Sequence, residues 1–188
     1  TQQTNILSFG AVGQTGRGHQ FNFTHKIQNQ WLINLQTNFE KNSNKSDNFI
    51  SKNYLLKQFL INPKVSYLLD NNKQFDLFYQ FIEKSNLIQN LENLEQHRLG
   101  VSAVFTQNQK AAINIEFNYF SNQFKGTQNT PVSYQMMEGL QIGNNYTWSL
   151  IMQKRLTKYL DLNINYFGRK SDISRTIHTG TVQLKAYF

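Results

Sequence analysis

The last forty-five residues, Asn144 to Phe188, alternate apolar and polar side chains through three consecutive stretches, and that alternation constrains the fold more than any other feature. Counting back from Phe188, one row reads Phe188, Ala186, Leu184, Val182, Gly180 and the other Tyr187, Lys185, Gln183, Thr181, Thr179. Leu160, Leu162, Ile164 and Tyr166 stand against Asp161, Asn163 and Asn165, and Tyr146, Trp148, Leu150 and Met152 against Thr147, Ser149, Gln153 and Arg155. A period of two is strand geometry, in which successive side chains point to opposite faces. Each strand therefore has one face suited to lipid and one suited to water.

The same rhythm runs back to Gln20. Phe21, Phe23 and Ile27 share a row, as do Trp31, Ile33, Leu35 and Phe39, and then Phe59, Ile61, Val65, Tyr67 and Leu69. Phe75, Leu77, Tyr79 and Phe81 follow, then Leu99, Val101, Ala103 and Phe105, then Ala111, Ile113, Ile115, Phe117 and Tyr119. Pro63 cannot donate to a ladder, so a bulge or an open rung is expected beside it. Short turns at Gln28, Asn71, Asn108 and Lys158 alternate with longer connections at Lys41–Lys52, Glu83–His97, Ser121–Gly143 and Lys170. Short turns on one side and long loops on the other are the sidedness of an outer-membrane barrel. Leu87, Leu91 and Leu94, at near-helical spacing, predict a short helical cap over the mouth.

Composition decides between a soluble and a membrane barrel. With 39% hydrophobic residues, 14% aromatic residues and a mean hydropathy of −0.56, the chain suits a sheet that is apolar on one face only. No run approaches the ~18 to 20 apolar residues of a membrane helix, and a barrel conceals its apolar content because each strand is half polar. Trp31, Tyr67, Phe75, Phe105, Tyr159 and Phe188 lie beside the short turns, while Phe39, Phe81, Tyr119, Tyr146, Trp148 and Tyr166 lie toward the long loops. Two such girdles are the interface anchors of a membrane barrel. A soluble sandwich or lipocalin-like barrel would bury those rings and expose the Asn, Gln and Lys row.

The 188 residues are read as a single domain, residues 1–188: an all-β antiparallel transmembrane barrel of the bacterial outer membrane, or the C-terminal part of a larger barrel. Nine strands are clear, and bacterial single-chain barrels use even numbers. Asn5 to Val12 is taken as the tenth strand. Thr1 follows neither an initiator Met nor a leader, which reads as a mature form or a C-terminal piece.

Glu138 to Trp148, EGLQIGNNYTW, and Gly168 to Phe188, GRKSDISRTIHTGTVQLKAYF, resemble the C-terminal barrel region of large Bacteroidetes-type outer-membrane proteins of poorly defined role. The likeness covers Tyr134 to Phe188, with a similar loop and strand rhythm upstream. It implies that a long portion precedes the barrel, and it carries no catalytic residue across.

The absence of cysteine removes disulfides and thiolate chemistry. A net charge of +8 could mark a nucleic-acid binder, but the Lys and Arg residues are scattered, and no nucleic-acid partner is expected. His25 and His178 fall on the lipid-side rows, away from any carboxylate cluster, so no catalytic residue and no cofactor is assigned. His97 with Glu92 and Glu95, in a loop, is the one constellation able to hold a divalent cation, and it lacks a second ligand cluster. The inward row contains Lys26, Glu40, Lys64, Asp76, Arg98, Glu116, Arg155, Asp161 and Lys185. Charges of both signs facing a narrow lumen are expected to pair and brace it.

The functional expectation is a membrane anchor or structural component that presents extracellular loops, with a pore or transport module completed by further strands or partner chains as the alternative. Expected partners are outer-membrane lipid, the barrel-assembly machinery reading the terminal row Val182, Leu184, Ala186 and Phe188, and partner outer-membrane proteins.

Overall fold

The structure is a computed structural model that describes residues 2–7, 10–88, 92–107 and 110–187, with side chains from residue 13 onward. Ten strands form one antiparallel meander in strict chain order: β1 (Gln2–Leu7), β2 (Gly10–Ile27), β3 (Trp31–Ser46), β4 (Tyr54–Asp70), β5 (Lys73–Asn86), β6 (Asn93–Gln107), β7 (Ala111–Lys125), β8 (Gly143–Thr157), β9 (Leu160–Ser171) and β10 (Ser174–Ala186). Nine of them run from 12 to 18 residues, and β1 has 6. One short α-helix, α1 (Pro131–Met137), interrupts the connection between β7 and β8. No helix among the described residues is long and apolar enough to cross a membrane.

Register makes the sheet curl. Trp31, at the lower end of β3, lies level with Tyr67, Phe75, Ala103, Ile115, Leu150, Tyr166 and Gly180 on the successive strands. The row starts beside a turn and ends in mid-strand, which is the stagger of tilted strands wrapping into a barrel. Closure is not reached. β1 pairs only with β2 and β10 only with β9, and residues 17–27 of β2 pair with β3 alone among the described residues. Both faces of β10 are consequently exposed along its whole length.

The alternation sorts two faces. On β3 the odd positions from Trp31 to Phe39 are exposed or half-exposed, while the even row leads up to buried Asn44 and Ser46. Pro63 sits beside an open rung without a bulge: the β4–β5 pairing passes from Ile61↔Phe81 to Lys64↔Phe78 in one register, and the irregularity falls instead between Leu68 and Asp70. At that turn Asp70 accepts the Asn72 N–H at 2.7 Å and pairs with Lys73 at 3.3 Å. The backbone hydrogen bond, helped by the lysine, holds the Asp70 carboxyl below its ordinary range.

Several expectations need correction. The tenth strand is Gln2–Leu7 rather than Asn5 to Val12, because the chain reverses after Leu7 and Gly10 already belongs to β2, which starts ten residues before Gln20. The upper connections are shorter than read: β3 runs to Ser46, β5 to Asn86, and only residues 172–173 separate β9 from β10. Polar residues continue a ladder above the membrane as readily as they form loops, since side chains such as Thr15 and Ser43, 2.6 Å apart, bond across it. The helical cap is misplaced as well. Leu94 belongs to β6, where it is 1% exposed on the inner face, and Leu91 lies outside the described residues. The helix at the mouth comes from the next connection.

Candidate functional site

The interior of the sheet and its upper mouth gather the polar chemistry. α1 begins on a Thr-Pro-x-Ser sequence: the Thr130 side chain accepts the Ser133 N–H at 3.1 Å, the Ser133 hydroxyl accepts the Thr130 N–H at 2.9 Å, and Pro131 takes the first turn. Glu138 closes the helix in the left-handed region with φ 55°. Val132, Met136 and Met137 pack against Leu56 of β4 and Leu94 of β6, with Tyr54 and Phe124 at the edge. These strand residues face inward, so α1 is folded into the mouth against the inner wall.

Lys84 of β5 secures it. This lysine is 4% exposed, donates to the Met136 carbonyl at 2.9 Å and pairs with Glu138, whose side chain is 61% exposed. Asn122 and Asn145 both donate to the Gln141 carbonyl, at 2.9 and 2.8 Å, tying the exit of the connection to β7 and β8. What remains open at the top is a cavity of about 420 Å³ between α1 and β2–β3, lined by Gln14, Glu40, Asn42, Gln58, Lys84 and Glu138.

Below the helix, Arg98 lies between the rings of Phe78 and Phe120, at 4.8 and 5.4 Å from their centroids. It donates to Glu116 at 2.8 Å and to Asn118 at 2.9 Å, and Asn118 donates in turn to Glu116 and Thr147. Gly100 admits this arrangement, since a Cβ there would collide with the Phe78 ring. A cavity of about 560 Å³ adjoins the group, lined by Gln96, Arg98, Asn118, Thr147 and Arg169 among others.

The strand register puts Lys26, Glu40, Lys64, Asp76, Arg98, Glu116, Arg155, Asp161 and Lys185 on this inner face. The expectation that they pair is met in part. Arg98 and Glu116 are joined, and Arg155 lies 3.6 Å from Asp161. Asp76 instead accepts from Gln74 and Ser102, and Glu40 from Asn38 and Asn42. Lys26, Lys64 and Lys185 join no ion pair among the described residues. With the sheet unclosed, Lys26 and Lys185 remain exposed to water, and hydration, joined at Lys185 by the Tyr187 ring 5.1 Å away, replaces the ion-pair partner.

Trp31, Tyr67, Phe75, Phe105, Tyr119, Trp148 and Tyr166 share the outer face, and Tyr159 is exposed at a lower turn; Phe188 lies outside the described residues. Ring contacts follow two bands. Trp31–Tyr67 and Phe75–Phe105, at 4.8 and 5.7 Å between centroids, sit near the short turns. Phe39–Phe59, Phe81–His97 and Tyr119–Tyr146, at 4.9 to 5.4 Å, sit toward the loops. The Trp148 ring lies across Gly168 and donates to the Tyr166 hydroxyl at 3.2 Å, and that hydroxyl bonds His178 at 2.8 Å.

The cation constellation is not assembled. His97 and Glu95 belong to β6 rather than a loop and face outward, His97 bonding Tyr79 at 2.6 Å and Glu95 at 3.0 Å, while Glu92 accepts from Asn86. No group of three potential ligands converges among the described residues. The residues missed from sequence are Lys84, read as loop, and Glu138; the Thr130–Pro131–Ser133 start signal marks the helix that Glu138 ends, while no local signal links Lys84 of β5 to it.

An antiparallel meander of long strands, apolar outside, polar inside and banded with rings at both ends, defines the β-barrel fold of outer-membrane proteins. Solved structures agree on that fold. OmpT of Vibrio cholerae, in vitro folded and in trimer form, superposes with a TM-score of 0.62 at 7% identity over 100% of this chain. Its loop L8 deletion mutant gives 0.63 at 6%, and NanC porin 0.54 at 11%, each over 100% of this chain. The chain spans 64% of OmpT, 62% of the deletion mutant and 91% of NanC. No protein-family model matches the chain, and no curated protein matches it in sequence.

Proposed function

We propose that this chain is an outer-membrane barrel module that anchors and displays its loops at the cell surface, with an interior that is braced and partly filled rather than open. The observation that carries this reading is α1, seated in the mouth by buried Lys84 and the Met136–Leu94 contact. Below it, the Arg98–Glu116–Asn118 network spans the inner face of β6 and β7. The outward row of Val182, Leu184 and Ala186 leading to Phe188 is the stretch that the assembly machinery would read. The resemblance to Bacteroidetes-type C-terminal barrel regions fits an anchor for a larger protein.

A planar-bilayer recording from the purified, refolded chain tests this. No discrete conductance steps are expected, and steady single-channel steps from the chain alone would replace the anchor with a pore. The free edges of β2 and β10 favour a second reading, a wider barrel completed by further strands or partner chains. Steps seen only with complexes extracted from outer membranes would select that reading.

A further inference from the structure

Arg17, Lys41 and Lys57 stand directly beside one another on β2, β3 and β4, in the register Arg17↔Lys41↔Lys57. All three are on the outer face and exposed. Like charges in adjacent cross-strand positions repel, so an unbroken run of three is unfavourable unless an anion bridges it. No carboxylate pairs with them among the described residues: Glu40, next to Lys41 in sequence, faces inward to Asn38 and Asn42, and the outward Glu83 stands one rung from Lys57, opposite Phe59.

Their height is also fixed. Arg17 is ten residues from Ile27 and Lys41 ten from Trp31, the outward positions that flank the short turn, and Lys57 is ten from Tyr67, which pairs with Trp31. At ~3.3 Å per residue and a strand tilt of about 40°, ten residues climb roughly 25 Å, the height of the apolar band of an outer-membrane barrel. The cations therefore cap the upper edge of the lipid-facing surface. The next outward row down is His19, Phe39 and Phe59, with the Phe39 and Phe59 rings 4.9 Å apart. A cleft of about 360 Å³ joins the two rows, its lining including Arg17, His19, Phe39, Glu40, Lys41, Lys57 and Leu87.

We infer that this ladder binds the phosphate-bearing headgroup of an outer-leaflet lipid, with phosphate oxygens against the three cations and acyl chains over Phe39 and Phe59. The inference rests on the membrane placement proposed above. Arg supplies a fork that matches phosphate oxygens, and the two Lys ammoniums supply point charges beside it.

The test is native mass spectrometry of the full chain, refolded into phosphatidylcholine vesicles with a minor fraction of phosphatidic acid and released into neutral detergent. The wild type is expected to retain phosphatidic acid over phosphatidylcholine by about tenfold or more. R17Q/K41Q/K57Q should fall to parity, whereas K110Q/K154Q/K158Q, which removes three cations near the opposite end, should keep the preference. Lys41→Gln alone, the middle rung, should lower it severalfold and serves as the test if the triple variant does not insert. Added inorganic phosphate should leave the bound lipid in place. No preference in the wild type, an unchanged preference in the ladder variants, or an equal loss in the control variant would each overturn the inference. Displacement by inorganic phosphate would make the ladder a soluble-anion site and overturn the lipid assignment. Failure of the wild type to insert into vesicles would instead remove the membrane placement.

Discussion

Ile115→Arg is expected to destabilise the lipid-inserted protein by about 2 to 4 kcal/mol, and Leu162→Arg, nearer the lower rim and opposite Lys154, by less, whereas Asn163→Lys should change little. Leu162 and Asn163 are neighbours in β9, yet Leu162 shares the outer row with Leu184, and Asn163 shares the inner row with Gln183. Ile115 stands level with Ala103 and Leu150 on the same outer face and is 45% exposed, a large apolar side chain at the surface of the sheet. A guanidinium at either outer site would have to leave water for hydrocarbon, while a lysine at Asn163 stays on the hydrated wall. Equilibrium urea unfolding from phospholipid vesicles measures the difference. Equal losses at Ile115 and Asn163 would mean that the two faces do not meet different solvents.

The second large effect is expected at Lys84. Lys84→Met keeps the aliphatic stem but removes the donor to the buried Met136 carbonyl, which should loosen the connection around α1 by about 1 to 3 kcal/mol. Glu138→Gln should cost under about 1 kcal/mol, since the Glu138 side chain is 61% exposed and keeps its hydration. Trypsin cleavage after Lys125, at the upper end of β7, reports the loosening. The Lys84 variant should be cut about tenfold faster than wild type at equal inserted fraction, and the Glu138 variant little faster. Equal cutting of wild type and Lys84→Met would mean that α1 is held by Met136, Val132 and Leu94 alone.

The faces were legible in the sequence because a period of two depends only on strand geometry. Lys64 and Val65 take opposite sides of β4 whatever surrounds them. Strand ends were not legible. Asn42, Ser43 and Asn44 look like loop residues, yet Asn44 is buried and donates to the Lys52 carbonyl at 2.8 Å, and Ser43 bonds Thr15 across the ladder. Composition marks what water tolerates, not where pairing stops. The helix was hidden for a different reason. At seven residues α1 is too short for a periodic apolar stripe, and its fixing contacts, Lys84 to Met136 and Glu138, are more than fifty residues apart in sequence. The spacing of Leu87 and Leu94 imitated a helix because a strand's inner row and a loop leucine fell at the same interval. Pairing of the lumen charges failed to follow from the inventory because it depends on closure: β10 leaves Lys185 in water, whereas Arg98, deep between Phe78 and Phe120, finds Glu116.

Because the chain has no cysteine, a single-nitroxide scan along β7, from Ala111 to Lys125, reads the solvent at each position without background. In vesicles, collision with dissolved oxygen should peak at Ile113, Ile115, Phe117 and Tyr119, and collision with a water-soluble nickel complex at Ala112, Asn114, Glu116 and Asn118. A smooth profile without a period of two, or maxima exchanged between the two probes, would contradict a barrel wall with lipid outside and water within.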